Sequence, residues 1–325
     1  MNPFPVTTST LSGSALGKFV INQYGIGQDS TCNLLRTGIN HTYLISDNDL
    51  KFALRIYSHG WRSKQEISEE LKLLRSLEEN SVSVSYPIPD RSGEFVQEIN
   101  APEGIRYAVL FSYAEGGKVR FMDTSTCASV GSLMANIHNL TSSTKIERVL
   151  YDRKSLLELP YQHAMAFFSE KLPEMQFIKE TCDRVSKLFE QADPKYIQTG
   201  IVHLDIWHDN MSITDKKEIT LFDFDFCGNG ILILDVAYFC KQLFHIEPDK
   251  RDYEQKVSSF LKGYASVRNL SEEEIKLIPY GGAAVWIFYL GVQCQRFDWS
   301  NIFLTENYLK MYVGRMRSWL EYYKA

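Results

Sequence analysis

The chain has 325 residues, of which 44% are hydrophobic and 23% are charged, and its formal net charge is −5. A chain of this length and composition can bury a sizeable core, as one large domain or as two lobes. The acidic balance argues against a nucleic-acid partner, because phosphate backbones are bound by basic patches.

Cysteine use and apolar runs bear on the compartment. The six cysteines are scattered and form no C-x-x-C pair, which is typical of a reduced chain. The N-terminus has neither a basic region nor an apolar core, so no signal peptide is predicted. The most apolar stretch, Gly281–Cys294, is shorter than the about 20 residues that cross a bilayer. We therefore predict a cytoplasmic protein without a membrane partner.

The first third of the chain is rich in predicted strands. Thr42–Ser46 and Lys51–Tyr57 predict two consecutive strands that are joined by a polar turn. Ser63–Glu79 predicts a helix, because its apolar residues recur with helical spacing. Phe95–Ile99 and Tyr107–Ser112 predict further strands. This part of the chain therefore predicts a small, strand-rich lobe.

A change of character follows at Ala114–Gly117, where paired glycines predict a hinge. Beyond it the chain is predicted to be mostly helical, with one short hairpin. We divide the chain into residues 1–113 and 114–325, which gives an α+β fold of two lobes. Helices are predicted over Ser125–Leu140, twice within Lys154–Phe189, and over Ile233–Phe244, Tyr253–Val267, Ser271–Gln295 and Asn307–Tyr323.

A polar run in the second lobe, His203–Asn210, is predicted to be a loop, and we name it the catalytic loop because it carries a candidate general base. Within it, Asp205 is suited to accept a proton from a hydroxyl group, because a general base must be a carboxylate or an imidazole in reach. Alternatively, Asp205 caps a helix or turn. Asp235 lies inside an apolar run, where a carboxylate needs partners, and is predicted to brace the loop.

The hairpin after the catalytic loop predicts a metal site. Met211–Thr214 and Ile219–Phe222 predict two strands, and a turn that closes on the two lysines between them places Asn210 directly opposite Asp223. An amide oxygen and a carboxylate at that separation can share Mg²⁺, whose other ligands are substrate phosphates. Asp225 is either a second metal ligand or a carboxylate of an N-terminal turn, and strand alternation, which places it on the same face as Asp223, favours the ligand.

A rival hypothesis makes His203, His208 and Asp209 a metal cluster for hydrolysis. Two histidines at i and i+5 lack the i, i+4 spacing that places both ligands on one face of a helix. This alternative also leaves the amide and the carboxylate of the hairpin without a function. We keep it as the minor alternative.

The spaced set His203, Asp205 and Asn210, followed by Phe222–Phe224 and Leu234–Ala237, resembles the aminoglycoside phosphotransferase/choline kinase-like superfamily. The homoserine kinase type II and stress-response kinase branches are the most similar, and the superfamily resembles protein kinases in fold. Four further segments resemble the family's third strand, its following helix, its inter-lobe linker and the first helix of its large lobe: Phe52–Tyr57, Glu69–Leu71, Leu110–Gly116 and Gly131–His138.

The resemblance implies a bilobal, protein-kinase-like fold and an ATP- and Mg²⁺-dependent phosphotransferase. Residues 1–113 would be the nucleotide-binding lobe, and residues 114–325 would carry the catalytic loop and the acceptor site. Asp205 would be the base that orients the acceptor hydroxyl, while Asn210 and Asp223 would hold Mg²⁺ on the nucleotide phosphates.

In the first lobe, the resemblance implies a set of nucleotide contacts. Arg55 stands where the family often has a lysine that contacts phosphate, and Glu70 would be its ion-pair partner. Arginine is also a cation, but it is bulkier and not equivalent to lysine. Backbone groups at Phe111 and Tyr113 would bind adenine. Asn40 lies in the segment that takes the place of the nucleotide-covering loop.

The acceptor pocket is left open by the sequence. Leu204 replaces the glycine that is usual in the family's loop. Trp207 either forms a wall of the pocket or packs on the lobe. Arg296 favours an acceptor that bears a carboxylate or phosphate, whereas the surplus of acidic residues favours a cationic one. We predict a small-molecule hydroxyl acceptor; a Ser/Thr protein kinase and a nucleotide-binding pseudokinase are the alternatives. Candidate pocket residues on the aromatic helix are Trp286, Tyr289, Gln293, Arg296 and Trp299.

Overall fold

The computed structural model describes residues 4–142, 144–296 and 304–325. It divides into two compact units, Met1–Glu115 and Gly116–Ala325. The first unit is built on an antiparallel sheet, and helices dominate the second. The predicted α+β fold class is therefore confirmed.

The first unit is a six-stranded antiparallel sheet with two helices. Adjacent strands follow the order β1-β2-β3-β6-β4, and β5 pairs with β6. The strands predicted around residues 42–57 and 95–112 are confirmed, but the first helix and β1 were not predicted. The elements are α1 (Gly13–Tyr24), β1 (Thr31–Thr37), β2 (His41–Asp47), β3 (Leu50–Ile56), α2 (Lys64–Glu79), β4 (Pro87–Ile88), β5 (Gln97–Ala101) and β6 (Gly104–Ser112).

Helix α2 begins at a capping box. The Ser63 side chain accepts a hydrogen bond from the Glu66 backbone N–H, and the Glu66 carboxylate accepts one from the Ser63 backbone N–H. The buried face of the helix includes Ile67 and Leu74 and also carries Glu70, which is fully buried. The periodicity that defines α2 therefore also places one carboxylate in the interior of the first unit, where it needs a partner.

The second unit is mainly helical and contains two short strand pairs. The helices predicted after residue 230 are confirmed to within three residues at each end. Strands β7 and β10, which pair antiparallel, were not predicted. The elements are α3 (Thr124–Thr141), a π-helical turn (Lys154–Glu158) that continues into α4 (Leu159–Met165), α5 (Pro173–Gln191), β7 (Thr199–Val202), β8 (Met211–Ile213), β9 (Ile219–Leu221), β10 (Gly228–Ile231), α6 (Ile233–Ile246), α7 (Lys250–Ala265), α8 (Glu272–Gln295) and α9 (Glu306–Tyr323).

Helix α8 contains the apolar run that we predicted to be too short for a bilayer. The helix itself has 24 residues and is long and apolar enough to span one, so the length argument is wrong. Its most apolar window is 78% buried within the protein, as in the core helix of a folded domain.

Helices α3 and α7 approach closely through glycine. A Cβ atom built on Gly263 would lie 1.9 Å from the Ala128 carbonyl oxygen, and one on Gly131 would lie 2.1 Å from the Phe260 carbonyl oxygen. The Ser132 hydroxyl donates a hydrogen bond to the Gly263 carbonyl oxygen across this contact, at 2.9 Å. Any side chain at either glycine must push the two backbones apart.

We expect Gly263→Ala to lower the free energy of unfolding by about 3 kcal/mol, because a rigid helix backbone cannot yield to the added methyl group. Urea unfolding measures the change. Gly314→Ala is the matched control: nothing lies within 4 Å of a Cβ at that helical glycine, and the substitution should stabilise by up to about 1 kcal/mol. Equal unfolding midpoints for Gly263→Ala and the parent would contradict the close contact.

Candidate active site

The register of the β8–β9 hairpin differs from the prediction by one residue. Met211 lies opposite Leu221, and the Phe222 backbone N–H donates to the Asn210 carbonyl oxygen at 2.9 Å. Asn210 therefore lies opposite Phe222, and the predicted pairing of Asn210 with Asp223 is wrong. A directly opposed pair therefore does not provide the metal ligands.

The turn explains this shift. The Thr214 backbone N–H donates to the Glu218 carbonyl oxygen, so three residues form the loop instead of two. Lys217, the last of them, has φ of 62°, in the left-handed region. A three-residue loop that ends in a left-handed residue is a common hairpin connection. The sequence lacks an Asn-Gly pair, which would have fixed a two-residue turn.

Asp223 follows the hairpin in a strained conformation. Its φ and ψ are 65° and 62°, which for a residue other than glycine costs on the order of 1–2 kcal/mol. The next residues, Phe224–Phe226, form a turn of 3₁₀ helix, so strand alternation does not apply and the predicted shared face of Asp223 and Asp225 is wrong. Asp225 is buried, and its backbone carbonyl oxygen accepts a hydrogen bond from the Arg148 guanidinium.

Asp205 is held by two neutral donors. The Tyr238 hydroxyl donates to its Oδ1 at 2.5 Å, and the Asn210 amide donates to its Oδ2 at 2.6 Å. Burial raises the pKa of Asp205 to about 7, and the nearby Asp223 carboxylate adds to that rise. The structure thus brings Asp205, Asn210 and Asp223 together, and it gives Asp205 a pKa close to that of an effective base at neutral pH.

The same contacts bear on a cation site. The Asn210 Nδ2 atom also donates to the Asp205 carbonyl oxygen at 3.0 Å, so the amide uses its nitrogen for the loop and directs Oδ1 elsewhere. Asp223 contributes a second oxygen donor group near Asp205. An amide oxygen and a carboxylate suit Mg²⁺, and a divalent cation would offset the repulsion between the two carboxylates. The residues therefore fit Mg²⁺.

The rival hydrolytic cluster is not formed. Among residues 4–142, 144–296 and 304–325, no group of three or more His, Cys, Asp and Glu side chains is placed to hold a metal ion. His208 Nε2 and Asp209 Oδ1 are 3.8 Å apart, but the ring of His203 is engaged elsewhere.

His203 joins the catalytic loop to the end of β9. Its Nδ1 accepts a hydrogen bond from the Asp205 backbone N–H at 3.1 Å, and its Nε2 donates to the Phe222 carbonyl oxygen at 3.2 Å. These partners require a neutral ring with the proton on Nε2. Burial lowers the pKa of His203, which favours the same neutral form.

Asp235 stabilises the backbone of the catalytic loop, as predicted. Its carboxylate accepts hydrogen bonds from the backbone N–H groups of His203 and Leu204, at 2.8 and 2.7 Å. The His138 ring donates to it as well, at 3.1 Å. Leu204 has φ of 61°, so it keeps a left-handed conformation that glycine adopts without strain. The contacts from Asp235 hold that strained residue in place.

Arg55 and Glu70 form a buried ion pair within the first unit, as predicted. Arg55 Nη1 lies 3.1 Å from Glu70 Oε1, and the Tyr57 hydroxyl donates to the other Glu70 oxygen at 3.2 Å. The Arg55 guanidinium also lies over the Phe111 ring, 5.3 Å from its centroid. This cation is therefore fixed in direction, as a phosphate-binding group must be.

The remaining residues predicted to bind nucleotide lie in the same unit. Phe111 is buried in β6, and Tyr113 follows this strand with the Lys51 ammonium 5.3 Å from its ring centroid. The Asn40 side-chain oxygen accepts a hydrogen bond from the Ser58 backbone N–H at 3.1 Å. Asn40 thus ties the β1–β2 turn to the segment after β3, and its predicted contact with nucleotide stays a prediction.

The predicted acceptor residues are only partly brought to the loop. The Tyr289 hydroxyl donates to the Leu204 carbonyl oxygen at 3.1 Å. Gln293 instead donates to the Tyr308 hydroxyl, Arg296 ends helix α8, and Trp299 lies outside the described residues. The Trp207 ring contacts His208. Sequence reasoning missed Tyr238, whose only signal was its position one helical turn after Asp235.

Comparison with known proteins gives one consistent result. The model of the phosphotransferase enzyme family matches residues 32–270. An uncharacterized protein of Synechocystis sp. is 30% identical over 92% of this chain and 83% of its own. A homoserine kinase of Bradyrhizobium diazoefficiens is 26% identical over 87% of this chain and 84% of its own.

Two solved structures share the fold. An amicoumacin kinase, hAmiN, in complex with AMP-PNP, Ca²⁺ and Ami has a TM-score of 0.78 at 20% identity and covers 96% of this chain and 94% of its own. A microcompartment-associated aminopropanol kinase has a TM-score of 0.75 at 20% identity, with 94% and 95% covered. The predicted protein-kinase-like fold is confirmed by these likenesses.

Proposed function

Since the chain belongs to the phosphotransferase enzyme family and is a kinase that acts on hydroxyl acceptors, we propose that it transfers the γ-phosphate of ATP to a hydroxyl group of a small molecule, with Mg²⁺ as cofactor. The observation that carries this proposal is the environment of Asp205. Two neutral donors hold its carboxylate, and burial raises its pKa to about 7.

Asp205 would orient the acceptor hydroxyl and accept its proton as the oxygen–phosphorus bond forms. Tyr238 and Asn210 donate to different oxygens of the carboxylate, and each oxygen can accept a further hydrogen bond, as from the acceptor hydroxyl. His203 and Asp235 hold the loop backbone that carries Asp205. Because phosphoryl transfer depends mainly on positioning and charge stabilisation, this rigid support is the principal contribution of the loop.

Asn210 and Asp223 are the residues proposed to hold Mg²⁺. When bound, the ion would neutralise charge on the nucleotide phosphates. Asp225 as a further ligand stays a prediction, because the 3₁₀ turn removes the shared face on which it depended.

The first unit is proposed to bind the nucleotide, through residues 1–113. Arg55, fixed by Glu70, would contact phosphate, and Phe111 and Tyr113 would contact adenine through their backbone groups. Asn40 would belong to the covering turn. The support for Arg55 is its buried ion pair and its place beside the Phe111 ring.

The small-molecule acceptor is supported by the relatives, whose names refer to homoserine, aminopropanol and amicoumacin. We propose that the protein is cytoplasmic and that its cysteines are reduced. A Ser/Thr protein kinase and a nucleotide-binding pseudokinase are the other outcomes that an assay must separate.

The test is ADP release from ATP, with and without Mg²⁺, using homoserine, choline, an aminoglycoside mixture and a generic protein as acceptors. We expect release that one small acceptor stimulates and that requires Mg²⁺. Stimulation by the protein alone would favour the protein kinase, and ATP binding without release for any acceptor would favour the pseudokinase.

Arg55→Ala should weaken ATP binding about tenfold or more, because a charge-assisted hydrogen bond to phosphate is lost. Adenosine binding should change less than about threefold, because adenosine has no phosphate. Calorimetric titration of both ligands measures the difference. Arg55→Lys, which keeps a cation, should retain part of the ATP affinity.

Lys64→Ala is the control for this prediction. It removes an exposed ion pair with Glu98 on the same unit, and such pairs contribute little. Unchanged ATP affinity in Arg55→Ala, with its thermal midpoint intact, would rule out the phosphate contact.

A further inference from the structure

A buried lysine lies close to the catalytic loop. Lys241, on helix α6, is only 5% exposed. Among the described residues, no acidic side chain lies within ion-pair distance of its ammonium group. A buried charge without an acidic partner is costly, and burial lowers the pKa of Lys241 to about 7, although the Asp205 charge opposes this.

Three aromatic rings surround the Lys241 ammonium. Its Nζ atom lies 4.8 Å from the ring centroid of Tyr238, 5.0 Å from that of Trp286 and 6.0 Å from that of Tyr289. Ring faces attract cations at these distances, so the three rings recover part of the cost of burial. They cannot saturate the three N–H donors of the ammonium, which need oxygen acceptors.

Two of these rings also touch the catalytic loop. The Tyr238 hydroxyl donates to Asp205 Oδ1, and the Tyr289 hydroxyl donates to the Leu204 carbonyl oxygen. Each tyrosine therefore presents its ring to Lys241 and its hydroxyl to the loop. Tyr238 therefore contacts both the ammonium, through its ring, and the base, through its hydroxyl.

This arrangement bears on the charge of the acceptor. A set of aromatic faces near the base could otherwise bind an ammonium group of the acceptor. Here Lys241 occupies that place. Its ammonium form repels a cationic acceptor group and donates hydrogen bonds to an anionic one, which in turn favours the ammonium form.

We propose that Lys241 is a specificity-determining residue that binds an anionic group of the acceptor, so that the preferred acceptor is a short hydroxy acid rather than an amino alcohol. The inference rests on the proposed function, since it assigns the acceptor of the same site. It places the acceptor hydroxyl at Asp205, which the Tyr238 hydroxyl contacts, and the acceptor carboxylate at Lys241, whose ammonium lies by the Tyr238 ring.

The test compares three acceptors of equal length: γ-hydroxybutyrate, its amide and the matching amino alcohol. With the parent protein we expect kcat/KM for the hydroxy acid to exceed that for the amide about 30-fold, as for a charge-assisted hydrogen bond. Lys241→Met should reduce this preference to within about threefold by raising KM for the hydroxy acid. Lys241→Arg, which keeps the cation, should retain a preference.

Lys250→Met is the matched control. The Lys250 ammonium also lies over aromatic rings, 3.5 Å from the centroid of Phe244 and 5.7 Å from that of Tyr253. Phe244 has no hydrogen-bonding group, and the Tyr253 hydroxyl is hydrogen-bonded to that of Tyr323. This variant should keep the preference of the parent protein. Thermal midpoints of all variants show that they are folded.

Failure of the two proposals can be told apart. If no acceptor is phosphorylated, the proposed function fails for these three acceptors. Calorimetric titration with butyrate and butanol still tests the role of Lys241. Butyrate binding that is lost in Lys241→Met supports the inference. The inference is overturned if butyrate binds neither protein or binds both equally. It is also overturned if kcat/KM of the parent protein for the amide or the amino alcohol equals that for the hydroxy acid. A third contradicting result is that Lys241→Met lowers kcat equally for all three acceptors.

Discussion

Asp205→Asn is expected to lower kcat for phosphate transfer about a thousandfold, because the amide cannot accept the proton of the acceptor hydroxyl. The affinity for ATP should change less than about threefold, since Asp205 is not among the proposed nucleotide contacts. The side chain keeps its shape, and the Tyr238 hydroxyl can still donate to the amide oxygen. Steady-state kinetics with the best acceptor, together with calorimetric titration of ATP, measure both quantities.

Asp209→Asn is the control for that experiment. Asp209 lies in the same loop, is partly exposed and pairs with Lys118 at 3.4 Å. Removing its charge should change kcat less than about threefold, because surface ion pairs contribute little. Transfer by Asp205→Asn at a rate within tenfold of the parent rate would contradict the assignment of the base.

Asp235→Ala is expected to lower the free energy of unfolding by about 3–5 kcal/mol, because it leaves buried donors without an acceptor. These donors are the backbone N–H groups of His203 and Leu204 and the ring of His138. Phosphate transfer should be lost as well, since the left-handed backbone of Leu204 would no longer be held. Urea unfolding and the kinetic assay measure the two effects.

Two further variants are controls for the stability loss of Asp235→Ala. Asp235→Asn keeps one acceptor oxygen and loses the other, so its cost should be about half as large. Asp252→Asn, at an exposed position in the first turn of α7, should cost less than about 0.5 kcal/mol. A stability loss for Asp235→Ala no larger than that of the exposed control would show that Asp235 does not support the loop.

The sequence predicted those elements that are stabilised by contacts between residues close together in the chain. Helix α2 follows from the apolar period after Ser63 and from the cap that Ser63 forms with Glu66. Helix α1 has 12 residues, two of them glycine, so its intrinsic propensity is weak. It is stabilised by packing against the sheet through residues such as Leu16 and Val20, which no local pattern reveals.

The hairpin shows where local reasoning fails. Its strands were predicted correctly, but its register depends on whether two or three residues form the turn. The Asp-Lys-Lys-Glu segment has no glycine or asparagine to decide this, and Lys217 adopts the left-handed conformation in the folded protein. One residue of register then decides which side chain lies opposite Asn210.

The sequence by itself determined the residue types of the site and their order: a carboxylate at Asp205, an amide at Asn210 and a carboxylate at Asp223. The chemistry of these groups depends on side-chain identity, which the sequence gives directly. Only the tertiary structure decided that Lys241 lies among rings from α6 and α8, close to the base. Helices far apart in sequence meet because burial of their apolar faces is favourable, and a lysine enclosed by that packing has no signature in the residues beside it.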